Sequence, residues 1–113
     1  MKQFAALCLI AILIGFFCEG TVPAPNQTIK IPMRDGVELT TDLYYHPDQD
    51  PSKLPCLLMR NPAGRKSPLW LTLLDLTKHG YIVAIQDTRS ALDTEGKTLP
   101  YLHDGWDLHQ DGY

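Results

Sequence analysis

Residues 80–96 read GYIVAIQDTRSALDTEG, and the change of character at their midpoint decides the fold class. Residues 81–85 carry no charge or amide and are rich in β-branched side chains, whereas Gln86, Asp87, Thr88 and Arg89 follow at once. An apolar run without alternation is the pattern of a strand covered on both faces, here delivering a polar loop to the end of a sheet. Open α/β sheets carry their sites at the carboxyl ends of the strands, which makes Asp87 and Arg89 rim candidates.

A second such run, residues 56–59 (CLLM), lies upstream, followed by Arg60, Asn61 and Pro62. Between the two runs Ser67 and Pro68 form a helix start, Leu69, Trp70, Leu73, Leu74 and Leu76 an apolar face, and Gly80 a left-handed cap. Strand, helix and strand make a βαβ unit with a parallel central pair. Cys56, inside the apolar run, is expected to act as a small hydrophobe. Further upstream Ile29 and Ile31 alternate with polar residues, Asp35 and Gly36 supply a turn, and Val37, Leu39, Thr41, Leu43 and Tyr45 alternate with Glu38, Thr40, Asp42 and Tyr44. This predicts an antiparallel hairpin with one wet face. The fold class is therefore α/β: a hairpin followed by a βαβ unit, an incomplete sheet within the 113 residues.

Residues 1–20 read as a secretory signal peptide, with Lys2, an uncharged apolar stretch, and Cys18 and Gly20 at the small-residue positions before a cut at Thr21. The stretch is short for a bilayer that needs about 20 apolar residues, so no stable membrane span is expected. Lipidation of Cys18 ranks second, because Phe16 and Phe17 are bulky for that processing. Secretion or periplasmic export is the expected localisation. Removing 20 of 113 residues leaves 93, with Cys56 their single cysteine and hence no internal disulfide. Residues 21–27 form an extended leader, and 28–113 the domain portion. A net charge of −3 excludes nucleic acid as an expected partner.

Three places could carry chemistry. Asn61, Pro62, Ala63 and Gly64 follow a strand and could lend backbone N–H groups to an oxyanion, or merely turn the chain. His103, Asp104, Asp107, His109 and Asp111 are ligand-type residues, but their spacing meets neither a calcium loop nor a paired-histidine motif, so no metal is expected. Asp87 could hold a ribose in a dinucleotide fold, yet the loop before it has Gly64 alone where a glycine-rich turn is needed. Asp87 and Arg89 are instead expected to pair locally or bind loop backbone, fixing the strand exit.

The succession PMRDGVELTTDLY (32–44), LLMRNP (57–62), HGYIVAIQDTR (79–89), TEG (94–96), DGW (104–106) and DGY (111–113) resembles the amino-terminal part of the cocaine-esterase-like and X-prolyl dipeptidyl-peptidase-like α/β-hydrolases. The resemblance implies a Ser-His-Asp hydrolase of small esters or peptides, without metal or organic cofactor. The chain contains no G-x-S-x-G, so none of the catalytic residues is expected in it, and Ser, Asp and His are expected beyond Tyr113. Where the resemblance implies an oxyanion-donating tyrosine after Asn-Pro, this chain has Ala63. Two other readings remain open: a secreted, non-catalytic binding module, and a degenerate hydrolase relic.

Overall fold

The computed structural model describes residues 21–89, 91 and 110–112. Residues 1–20, read above as a signal peptide, residues 94–96 and the ligand-type residues 103–109 lie outside the described residues. Four strands form one mixed sheet: β1 (Gln27–Pro32), β2 (Glu38–Tyr44), β3 (Cys56–Asn61) and β4 (Ile82–Asp87), in the order β1-β2-β4-β3. β1 and β2 are the expected hairpin. Its turn is closed by the Met33 N–H donating to the Val37 carbonyl at 2.8 Å, and Gly36 takes the left-handed φ of +85° that the turn demands.

β2 then pairs antiparallel with β4, and β3 runs parallel to β4 from Cys56↔Ile82 to Asn61↔Asp87. Both parallel strands extend beyond their apolar runs, so that Asn61 and Asp87 become register partners. Because β2 opposes β4, the hairpin turn at 33–37 lies at the same end of the sheet as the two loops that leave β3 and β4.

The structure departs from the sequence reading at four points. The crossover is wound as two 3₁₀ turns, Pro68–Trp70 and Leu73–His79, rather than one α-helix. Its caps are those expected: the Ser67 hydroxyl accepts from the Leu69 N–H at 3.4 Å, and Gly80 is left-handed. Side chains three apart eclipse in a 3₁₀ turn. Leu73 and Leu76, three apart in the second turn, therefore lie on one side of it, and both pack against the cluster that contains Trp70. β3 is an edge strand among the described residues, not a central one, and its Leu58 is 52% exposed. Cys56, at the start of that edge, is exposed rather than packed, and partial desolvation pushes its thiol above the usual range. Finally, the polar side of β2 is not wet: Thr40, Asp42 and Tyr44 are all buried, because that face carries the core cluster around Tyr44 and the Arg65 guanidinium over Asp42.

The core is built on one face of the sheet. Tyr44, Trp70, Val83 and Ile85 form its centre, with Met59, Leu73, Leu74 and Leu76 packed around them. Val22 from the leader packs against the same cluster, and the Tyr44 hydroxyl donates to the Pro23 carbonyl at 3.5 Å. The leader is thus laid along the domain rather than held away from it. Burial raises the Tyr44 phenol above its ordinary value.

This placement predicts a contrast between two apolar side chains. Ile85→Ala opens a cavity in a site 1% exposed and should cost about 2–5 kcal/mol. Leu58→Ala on the open edge should stay within about 0.5 kcal/mol of wild type. Urea unfolding followed by tryptophan fluorescence separates them, and equal losses would contradict the edge position of β3.

Candidate functional site

Asp87 ends β4 with its side chain wholly buried, on the face that carries the core. Its Oδ1 accepts a hydrogen bond from the backbone N–H of Arg65 at 2.6 Å, and its Oδ2 pairs with the Arg65 guanidinium. The same guanidinium reaches Asp42 of β2, Nε to Oδ2 at 3.1 Å. Asp42 opposes Ile85 in the register, so both carboxylates lie on one face at one end of the sheet. The Thr28 hydroxyl of β1 donates to the other Asp42 oxygen at 2.6 Å. An arginine between two buried carboxylates ties β1, β2, β4 and the loop after β3 into one unit.

That loop holds Asn61, Pro62, Ala63 and Gly64. Asn61 is the last residue of β3, Ala63 is exposed, and Gly64 is buried with φ +84°. The Gly64 carbonyl accepts from the Trp70 indole N–H at 3.1 Å and from the Ser67 N–H at 3.3 Å. The loop is therefore pinned on its sheet side by Asp87 and on its crossover side by Trp70.

Arg89 forms a second unit. Its Nε and Nη2 donate to the two oxygens of Asp111 at 2.6 and 2.7 Å, and its Nη1 and Nη2 to those of Asp35 at 2.7 and 3.0 Å. Two fork-to-fork pairs on one guanidinium is the geometry that arginine alone provides. Arg60 of β3 also approaches Asp111, at 4.0 Å, and Arg34 donates to the Gln110 side-chain oxygen at 2.5 Å. Asp111 and Asp35 raise the Arg89 guanidinium above its ordinary value. The hydrogen bond from Arg89 holds the Asp35 carboxyl well below the usual carboxylate range, against some desolvation. Residues 31–34, Leu58, Gln86 and 110–112 wall a cavity of about 290 Å³ beside this cluster.

The sequence placed Asp87 and Arg89 at the strand exit, and both stand there. Asp87 holds loop backbone and Arg65, while Arg89 holds the hairpin turn and Asp111. Arg65 was not singled out from the sequence, Asp42 was read only as a wet-face position and Asp35 only as a turn residue. The signal available for them was weak, because a buried, paired aspartate on an alternating strand has the same letter as a solvated one.

The second unit sets a pH dependence. Asp35 has a lowered folded pKa, so its contribution to stability is present above about pH 4 and is lost as pH falls through the folded value. The stability gap between wild type and Asp35→Asn should be open at pH 7 and close in acid, read by urea midpoints across that range. Arg89→Ala removes the partner of Asp111, whose side chain is 1% exposed, and should cost about 3–5 kcal/mol at pH 7.

The X-Pro dipeptidyl-peptidase (S15 family) model matches residues 35–113. Cocaine esterase from Rhodococcus sp. (strain MB1 Bresler) is 42% identical over 83 residues, which are 69% of this chain and 14% of that protein. Among solved structures, an α-amino acid ester hydrolase superposes with a TM-score of 0.51 at 24% identity, over 74% of this chain and 16% of the other. An aminopeptidase from a marine sediment archaeon, Thaumarchaeota archaeon, does so with a TM-score of 0.52 at 22% identity, again over 74% and 16%. At those identities the two structures speak for the fold, an α/β-hydrolase-like sheet of which this chain spans a part. The family match takes in the hairpin turn, the loop after β3 and the exit of β4, and on it the chain belongs to the X-Pro dipeptidyl-peptidase (S15) family of hydrolases.

Proposed function

We propose that this chain is the amino-terminal part of a secreted serine acyl hydrolase, acting on small esters or X-Pro peptides through a Ser-His-Asp mechanism. The observation that carries the reading is the loop 61–64, pinned at the carboxyl end of the parallel strands in a chain of this family. Attack of a serine on an acyl carbon moves negative charge onto the carbonyl oxygen. Donors already fixed where that charge develops stabilise it without reorganising, and a loop held by buried partners meets the requirement. In this reading the chain supplies that loop and one rim of the cleft, with Asp87 and Arg89 as scaffolding. Nucleophile, acid and histidine come from sequence beyond Tyr113, and no cofactor takes part.

Ester and X-Pro peptide are the substrate classes that the relative and the family suggest by name. Ala63 sets a limit on rate. With a methyl group in place of a phenol hydroxyl, position 63 offers no side-chain donor, and one missing donor lowers turnover by about a hundredfold or more.

Two assays test the reading. Purified residues 21–113 should turn over neither a nitrophenyl ester nor an X-Pro nitroanilide; turnover that tracks the protein through purification overturns the division of labour. In the complete reading frame Ala63→Tyr should raise kcat by about tenfold or more. No gain there would remove position 63 from the oxyanion site.

A further inference from the structure

We infer that Asp87 is a positioning residue for the oxyanion loop, acting through the peptide that joins Gly64 to Arg65. The inference rests on the hydrolase reading above and specifies what holds its loop in register.

A peptide unit is planar, so fixing its N–H and its C=O fixes the whole plane. Here both are fixed, from opposite sides. The N–H belongs to Arg65 and donates to a carboxylate with no solvent exposure. The C=O belongs to Gly64 and accepts from the indole of Trp70, itself part of the core centre. One step back along the chain, Gly64 adopts φ +84°, a conformation that glycine takes without the strain other residues meet. The preceding plane is joined to the fixed 64–65 plane only through the two dihedrals of Gly64, so the fixed plane restricts it. The restricted plane carries the Gly64 N–H and directs the side chain at position 63.

Two consequences follow. The Arg65 N–H is spent on Asp87 and is not a donor to substrate. The Gly64 N–H lies in the plane next to the fixed one, and its direction is inherited from Asp87. The Arg65 guanidinium lies against the buried Asp87 carboxylate, and Asp42 holds that guanidinium from its other side. A charged acceptor makes the shorter and stronger hydrogen bond to the Arg65 N–H, so the charge serves the geometry.

The test uses the complete protein and reads both hydrogen exchange and kinetics. Asp87→Asn keeps an acceptor but loses the charge. Amide exchange of the peptide covering 62–66 should quicken, and kcat on a nitrophenyl ester should fall about ten- to a hundredfold, as expected for a displaced catalytic group. KM should hold within about twofold, since ground-state binding is not at stake. Ile85→Ala, which loosens the same core without removing either hydrogen bond to the 64–65 peptide, should lower the urea midpoint while kcat holds within about twofold. Should Asp87→Asn not fold, Trp70→Phe releases the same peptide from its other side, and the same kcat loss with unchanged KM is expected in smaller degree.

Unchanged exchange at 62–66 in folded Asp87→Asn overturns the pinning, whatever the activity. Quickened exchange with unchanged kcat overturns the positioning role. A kcat loss in Ile85→Ala equal to that in Asp87→Asn reduces Asp87 to a stabilising residue. An inactive wild-type protein defeats the hydrolase reading instead, and the exchange arm still decides whether Asp87 holds the loop.

Discussion

A carboxylate withdrawn entirely from water must be neutralised where it stands, and Asp87 imposes that requirement at the end of the central strand. Arg65 meets it from a loop that has just left the neighbouring strand. To bring its guanidinium and its own N–H to the same carboxylate, the chain between Pro62 and Arg65 must double back over the end of β4. The loop's shape is thus dictated from outside the loop. The requirement spreads further, because Arg65 also lies against Asp42, and Asp42 takes its remaining hydrogen bond from Thr28. Each strand of the hairpin contributes one polar group to a charge that sits on a third.

The same device is used a second time at that end of the sheet. Arg89 lies between Asp35 and Asp111 as Arg65 lies between Asp42 and Asp87. A lysine could balance the charge in either place but could not hold two carboxylates in fixed planes, since an ammonium is a point charge without a fork. The two clamps differ in setting. Arg65 works on the core face under the loop, whereas Arg89 gathers the hairpin turn and residue 111 around the exit of β4. Buried ion pairs contribute little net stability once desolvation is counted, although breaking one costs several kcal/mol. Their effect here is on position: three connections that share no secondary structure are held in one arrangement.

Much of this was legible in the sequence, and the limits have physical causes. The β-branched run before Asp87, the Asp35-Gly36 turn, the Ser67-Pro68 start and the Gly80 cap are local signals, and each holds in the structure. Failure came where a residue's role depends on a distant partner. Asp42 and Thr40 alternate with apolar residues as a solvated face would, but the partner that lets Asp42 be buried lies beyond another strand. The 3₁₀ winding was hidden because Trp70, Leu73, Leu74 and Leu76 satisfy both a three-residue and a 3.6-residue repeat. β3 read as central because its side chains are apolar, and composition alone does not say whether a neighbour lies on its far side. For Asp87 and Arg89 the sequence left open a local pair or a bond to loop backbone; Asp87 takes the second, through the Arg65 N–H, while Asp35 and Asp111, the distant partners of Arg89, had no local signal.

The clamp also bears on whether the segment 61–64 is a site or a connection. A connection needs Pro62 and a left-handed Gly64, which together turn the chain, and nothing more. The structure adds two buried carboxylates, a buried guanidinium and an indole hydrogen bond to hold one peptide of that turn. Burying three charges beneath a turn that would form without them is a poor route to stability, because apolar residues of similar volume often serve as well or better. It is a good route to a backbone N–H held in a fixed direction at the carboxyl end of a parallel pair. Under the proposed function, the chemistry that depends on that direction is the capture of a negative oxygen. Ala63 leaves this framework standing and alters only the side chain it would aim.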